Sequence, residues 1–510
     1  MHALPAPVVP PGAALVTLEA GASGRGLGPS AKELWPGSRT YAVPIRPGPA
    51  DSAIRRLRAR DDVRAVELNR SRRASDRGSG VPSDPNFAQQ RYLREIDWSQ
   101  PEPPLRQPIV AVLDTGVSPV PDLIGHIDGA RAATFVTGRE PLMDVEGHGT
   151  HVAGIIAALT DNGIGISGIA DALVLPIAVG AADGDQTVAT TASLVQGLRY
   201  AVSRDAKIVN ISFAGSGYSA LEQDAINDAT RAGVLVVAAS GNTGGGEGGR
   251  QYPGAYRHVL AVGATGPGGV PLAISTPGPQ VALSAPGSEI LSTGTGLEGA
   301  GTYVVRTGTS VATPMVTGAV ARLLGRDPTL RPSQLRAMVV ETARDVAPSG
   351  VDEQTGHGLL DVASALTLPA PPPDAAEPDD DPKLAARLVP LLQASVGRRE
   401  MSGELAGWSD PRDCRLVILR RGQGLDVSLT SDSTSDLDLI VWRPGTPATA
   451  LAGRRPRLWT VAASLGPTAK EHVHFTASRA GAYVIEVRLT GGPGGRYRVR
   501  AVRGGSQGPS

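Results

Sequence analysis

Four side chains in this sequence have the types and neighbours that acyl-transfer chemistry needs. Ser310 follows a glycine turn, Gly308-Thr309-Ser310, and opens a run of small and apolar residues that continues to Leu324 at helical spacing. That spacing predicts a buried helix over Ser310–Leu324. The serine then sits at the N-terminus, where unpaired N–H groups and the helix dipole favour developing negative charge. Pro314 is expected in the first turn, where a missing N–H costs nothing. Gly147-His148-Gly149-Thr150-His151 starts a second helix with an imidazole, expected over Thr150–Leu159. Asp114 closes an apolar strand, and Asn242 follows another in a Ser240-Gly241 turn.

A serine hydroxyl attacks poorly until a neighbouring base takes its proton. Imidazole suits that task because it titrates near working pH, and a carboxylate behind it fixes the tautomer and stabilises the imidazolium. The tetrahedral intermediate carries an oxyanion, which the backbone N–H of Ser310 and the side-chain amide of Asn242 could receive. Taken singly, each residue reads as a helix cap or a turn former. Taken together, they make a nucleophile, a base, an orienting acid and an oxyanion donor.

The order Asp114, His148, Ser310, with Asp114-Thr-Gly, His148-Gly-Thr-His, Gly241-Asn242 and Gly308-Thr-Ser310-Val-Ala-Thr-Pro, closely resembles the subtilisin-like serine protease family, peptidase S8, from Pro85 to Leu366. The resemblance implies that Asp114 is the triad acid, His148 the general base, Ser310 the nucleophile and Asn242 the oxyanion donor, with His151 structural. It also implies that Ser212, Phe213 and Ala214 line one side of the primary specificity pocket and Ala239, Ser240 and Gly241 the other. That apolar, uncharged lining favours apolar P1 side chains. Ala214 stands where the family commonly has glycine, which narrows the pocket. No cofactor is implied for the chemistry. A structural calcium is implied, held by Asp122, Asn162 and the carbonyls of Ile164 and Ile166, with an ordinary Asn-Gly turn as the alternative reading.

Positioning these residues requires a particular scaffold. Apolar strands at Ile109–Leu113, Leu173–Leu175, Lys207–Phe213, Val234–Ala239 and Val259–Val262 alternate with helices at Thr150–Leu159, Ala192–Ser203, Ala220–Ala232 and Ser310–Leu324. Such alternation means a parallel sheet covered on both faces, with sites beyond the strands' carboxyl ends. A further helix is expected at Pro332–Ala343. The fold class expected is α/β: a mostly parallel, doubly wound subtilisin-like sheet, flanked by a small α+β prodomain and an all-β C-terminal sandwich. Residues 1–30 read as a disordered lead and 31–83 as a propeptide-like α+β segment and linker. The catalytic domain is expected at 84–367, a Pro/Asp-rich linker at 368–385 and the sandwich at 386–510. The α+β segment has strands at Thr40–Ile45 and Val63–Leu68 around a helix at Asp51–Arg60. It resembles the end of the family's inhibitory propeptide, which implies self-cleavage between Asn69 and Ser83. The sandwich resembles the pre-peptidase C-terminal domain of secreted bacterial proteases. Its acidic trio Asp432, Asp436 and Asp438 reads as a solvated strand end, with a calcium site as the alternative reading.

Lys plus Arg number 49 and Asp plus Glu 49, so no global charge points to nucleic acid or a membrane surface. The single cysteine, Cys414, excludes an intrachain disulfide and a thiolate zinc cluster. No transmembrane segment is legible. The first residues lack a basic region and carry Pro5, Pro7, Pro10 and Pro11, so they do not read as a signal peptide, although the resemblance implies a secreted protein. The expected partners are a protein or peptide substrate and the chain's own N-terminal segment as inhibitor, the chain being a monomer. The reading that emerges is a serine endopeptidase made as a self-processing precursor. Its competitor is a catalytically silent binding protein on the same fold.

Overall fold

Seven strands pair into one sheet, and all six pairings between neighbours are parallel. The computed structural model describes residues 14–19, 21–33, 38–43, 56–68, 81–183, 186–245, 249–295, 302–371, 390–391, 397–406, 412–431, 435–446, 459–468, 470–492 and 494–504. The chain divides into two units at Val81/Pro82.

In the second unit the strand order is Val281–Pro286, Val259–Thr265, Leu235–Ala239, Ile208–Ile211, Ile109–Asp114, Leu173–Ala178 and Ala133–Thr134. The central strands are buried on both faces, which is why they read as unbroken apolar runs rather than alternating ones. The helices His148–Ala157 and Thr309–Arg326 cover one face, and Thr191–Ser203 and Ala220–Arg231 the other, each face with its own apolar core. Real helix ends differ from the expected ones by a few residues. Val281–Pro286 is a strand that the sequence reading lacks; its Val-Ala-Leu-Ser-Ala-Pro composition carries little β preference, and its place comes from pairing with Val259–Thr265. The antiparallel hairpin of Ile290–Thr293 and Tyr303–Arg306 leads the chain into the Thr309–Arg326 helix.

C-terminal to this α/β domain, two four-stranded antiparallel sheets enclose a separate core containing Val427, Leu439, Ile485 and Val499. Six of these strands fall where alternation predicts them, and Arg398–Ala406 and Thr460–Ser464 complete the sheets.

The first unit holds a four-stranded antiparallel sheet. Ala14–Leu18, within the segment read as a disordered lead, corrects that reading. It is a strand paired with Thr40–Val43 and Val63–Leu68, and it buries Ala14, Val16 and Leu18 in this unit's core. The period-two pattern Ala-Leu-Val-Thr-Leu begins only after the last of the prolines that mark the lead. Parts of other expectations lie outside the described residues. These are Pro44–Ile45 of the first expected strand, Asp51–Arg55 of the helix, residues 69–80 of the cleavage window, 372–385 of the linker, 386–389 at the start of the sandwich, and Asp432.

Candidate active site

Asp114 ends Ile109–Asp114, and the adjacent strand Ile208–Ile211 runs out into Ser212, with Leu113 opposite Ile211. On the next strand, Ala239 leads into Ser240, Gly241 and Asn242. Three neighbouring strands therefore deliver their functional residues side by side at one carboxyl edge.

The His148–Ala157 helix lies hard against the end of the Asp114 strand. A Cβ on Gly149 would sit 2.0 Å from the Gly116 carbonyl oxygen and 2.9 Å from Asp114 Cβ, so only glycine permits this approach. It brings His148 Nδ1 to 2.7 Å from Asp114 Oδ1, which also accepts the Thr115 N–H. With Nδ1–H donating to the carboxylate, Nε2 keeps its lone pair and is the basic nitrogen. Asp114 is fully buried, while the His148 side chain retains 18% exposure.

A residue that sequence reasoning missed fixes this helix start. Asp144 is fully buried and accepts four hydrogen bonds: from Thr115 Oγ1 at 2.7 Å, Gly147 N at 2.9 Å, Thr150 N at 2.8 Å and Thr150 Oγ1 at 2.7 Å. Thr115 Oγ1 in turn accepts the Gly149 N–H. One carboxylate thus caps the helix that carries His148 and ties it to the loop after Asp114. Its signal was the acidic residue four positions before His148, a place where N-caps and first-turn acids are common.

Ser310 lies in the first turn of Thr309–Arg326. Pro314 corrects the sequence expectation, since it falls in the second turn rather than the first. Having no N–H, it leaves the Ser310 carbonyl without its usual helical partner. The Ser212 hydroxyl donates to that carbonyl at 2.8 Å. Ser212 Oγ accepts from Asn210 Nδ2, and Asn210 Oδ1 accepts from Thr317 Oγ1. This chain of bonds fastens the Ser310 helix to the strand expected to bind substrate.

Asn242 Oδ1 accepts both the Thr309 N–H at 2.9 Å and the Thr309 hydroxyl at 3.0 Å. The amide orientation is thereby set, with Nδ2 as the outward donor. A Cβ placed on Gly308 would lie 3.1 Å from Asn242 Nδ2 and 3.4 Å from Ser310 Oγ. The amide and the hydroxyl therefore flank one small space, which glycine keeps open. The Phe213 ring, one residue beyond Ser212, lies 6.3 Å from the His148 ring.

Burial alone would lower the His148 pKa, but the charge and hydrogen bond of Asp114 outweigh it and hold the imidazole above the ordinary histidine value. Arg306 pulls the other way, and the Asp144 carboxylate adds to the rise. His151 behaves in the opposite manner. Burial, the Arg306 guanidinium and His148 push it down to about 3, so it is neutral. Its Nε2–H lies 3.1 Å from both the Ile290 and Val304 carbonyls, which makes it a fastener for the hairpin before Ser310.

The remaining site residues fall as follows. Ser212, Ala239, Ser240 and Gly241 are buried, Phe213 is half-buried and Ala214 is exposed. Gly241 has φ 111°, and a side chain there would meet Gln251 and Thr276. Asp122, Asn162, Ile164 and Ile166 do come together, through N–H donors. Asn162 Nδ2 donates to Asp122 Oδ1 at 2.9 Å, and the Ile166 N–H to Asp122 Oδ2 at 2.9 Å. The Ile164 N–H donates to Asn162 Oδ1, and the Tyr303 hydroxyl to Asp122 Oδ2. Three donors thus occupy the Asp122 carboxylate in this arrangement.

A carboxylate-oriented histidine and a helix-start serine at the edge of a parallel sheet fit one class, the serine hydrolases. Comparison with known proteins narrows it. Residues 106–358 match the model of the subtilase family, Peptidase_S8. Subtilisin Savinase of Lederbergia lenta is 40% identical over 257 residues, covering 50% of this chain and 89% of that protein. The thermostable alkaline protease of Halalkalibacterium halodurans is 38% identical over 256 residues, covering 50% of this chain and 66% of that one. Among solved structures, a protease from Pseudoalteromonas arctica PAMC 21717 superposes with a TM-score of 0.50 at 27% identity, covering 56% of this chain and 98% of the other. The chain belongs to the subtilase family of serine endopeptidases.

Proposed function

We propose that this protein is a serine endopeptidase in which Ser310 attacks the peptide carbonyl, His148 Nε2 takes the hydroxyl proton, and Asp114 stabilises the imidazolium. The acyl-enzyme forms as His148 returns that proton to the leaving amine, and water then hydrolyses the ester by the same route. Asn242 Nδ2 and the Ser310 N–H receive the oxyanion. The observation that carries this reading is the shared space between Asn242 Nδ2 and Ser310 Oγ, together with the 2.7 Å bond from His148 to Asp114. Apolar P1 residues are favoured, because no charged side chain stands among Ser212–Ala214 and Ala239–Gly241.

The protein is made as a precursor that cuts itself between Asn69 and Ser83, its N-terminal unit acting as inhibitor until then, and it works outside the cell as a monomer. The N-terminal sheet and the family resemblance support this part. Calcium has no place in the proposed chemistry. An ion at Asp122 would need the Asn162 amide turned so that its oxygen faced the site, and a calcium-dependent rise in Tm is the measurement that would reveal it.

The test is hydrolysis of casein and of apolar-P1 peptide esters, with N-terminal sequencing of the purified product. Wild type should cleave and begin within or just after 69–83. The Ser310→Ala chain should stay uncut and inactive. Wild-type activity in Ser310→Ala would defeat the proposal.

A further inference from the structure

One cation stands beside the proposed machinery without a role in it. Arg306 ends the strand Tyr303–Arg306, four residues before the nucleophile. Its guanidinium reaches across to the turn before His148. An Nη2–H donates to the Glu146 carbonyl at 3.0 Å, and Nη2 lies 3.4 Å from where a Gly147 Cβ would be. Its Nε is buried and, among the described residues, has no hydrogen-bond partner. The nearest acidic side chain by sequence does not answer it, because Glu146 accepts from Arg139 at 2.6 Å and from the Ala182 N–H at 2.9 Å. Asp144 and Asp114 are both buried in the bonds that hold His148. The Nη end of the guanidinium makes only that one bond among the described residues and, unlike Nε, is not enclosed, so a planar cation is left part-used beside the site with a shape that matches a carboxylate.

The side on which it acts follows from the chemistry. His148 gives its proton to the leaving amine, so the residues after the cleaved bond pass on the His148 side. We propose that Arg306 is a specificity residue that pairs with an acidic side chain on the leaving-group side of the scissile bond, so that the substrates are apolar-then-acidic sequences. This rests on the protease reading above. Arg306 also lowers the His148 pKa, which places its charge within electrostatic reach of the general base.

The experiment uses the full chain and internally quenched peptides with a fixed apolar P1. The positions on each side of the bond are varied among Glu, Ala and Lys, and rates are normalised to sites titrated by a fluorophosphonate. Wild type should prefer Glu over Lys by roughly tenfold or more in kcat/KM at one of the first two leaving-side positions, the scale of a charge-assisted hydrogen bond. Arg306→Gln should erase the preference, Arg306→Lys should retain part of it, and Arg306→Glu should reverse it. Cleavage without a leaving-side charge preference, or a preference that survives in Arg306→Gln, would overturn this inference and leave the protease reading intact. Absence of both cleavage and labelling in wild type would overturn both.

Discussion

Asp144→Asn is the perturbation that most sharply separates this account from one in which only the triad motifs matter. The wild-type carboxylate serves four buried donors around the helix start that presents His148. In the amide one oxygen becomes an NH2. The two threonine hydroxyls can turn and accept from it, but a backbone N–H, that of Gly147 or of Thr150, cannot. One buried donor left unpaired and weaker bonds to a neutral acceptor together cost about 2–4 kcal/mol. Urea unfolding in a Ser310→Ala background, which removes autolysis, should report that loss as a lower midpoint at unchanged m. In the active chain, kcat should fall by about 10–100-fold with KM nearly unchanged, because the base is displaced and binding is not. The pH profile adds a signature that a merely structural residue would lack. Asp144 raises the His148 pKa, so removing its charge should move the acid limb of kcat/KM to lower pH. A stability change below about 0.5 kcal/mol with an unmoved acid limb would refute the reasoning.

Other expectations follow from the same geometry. Gly149→Ala forces a methyl into the Gly116 carbonyl, so it should lower stability by about 1–3 kcal/mol and abolish turnover, as read by unfolding and fluorophosphonate labelling. Asn242→Asp keeps the acceptor for Thr309 but removes the oxyanion donor. Its stability should hold while kcat drops by at least about 10²-fold, the loss known for subtilisin's own oxyanion donor. His151 is held neutral, its folded pKa of about 3 lying below the ordinary unfolded value near 6.5. The unfolded chain therefore binds one more proton between those values. The stability that His151 contributes is complete above the unfolded pKa and is lost as pH falls toward 3, by on the order of 3–5 kcal/mol. His151→Gln in the Ser310→Ala background should flatten that slope in unfolding titrations, and an identical slope would exclude it.

Much of this was legible in the sequence, for physical reasons that particular residues make plain. Ile109–Asp114 and Leu235–Ala239 are buried on both faces, so their apolar runs announce a parallel sheet, and their carboxyl ends give the places of Asp114 and Asn242. Ser310 and His148 declare themselves by glycines that only close approach requires. What stayed hidden depends on partners far away in the chain. Asp144 looks like any loop acid until Thr115 and Thr150 are beside it. Pro314 reads as an ordinary helix-start proline until Ser212 is found donating to the carbonyl it frees. Val281–Pro286 becomes a strand only through Val259–Thr265. Asp122 and Asn162 have the donor chemistry of a calcium loop, but which of their atoms face one another is decided by an amide rotation that sequence does not encode.

The central claim is that Asp114, His148 and Ser310 act as one unit, and covalent labelling tests it most directly. Fluorophosphonate treatment of the wild-type chain, followed by peptide mapping, should place a single adduct on Ser310. The labelling rate should fall by at least about 10³-fold in His148→Ala and by a large factor in Asp114→Asn. An adduct on another residue, or a Ser310 adduct that forms as fast without His148, would contradict the account.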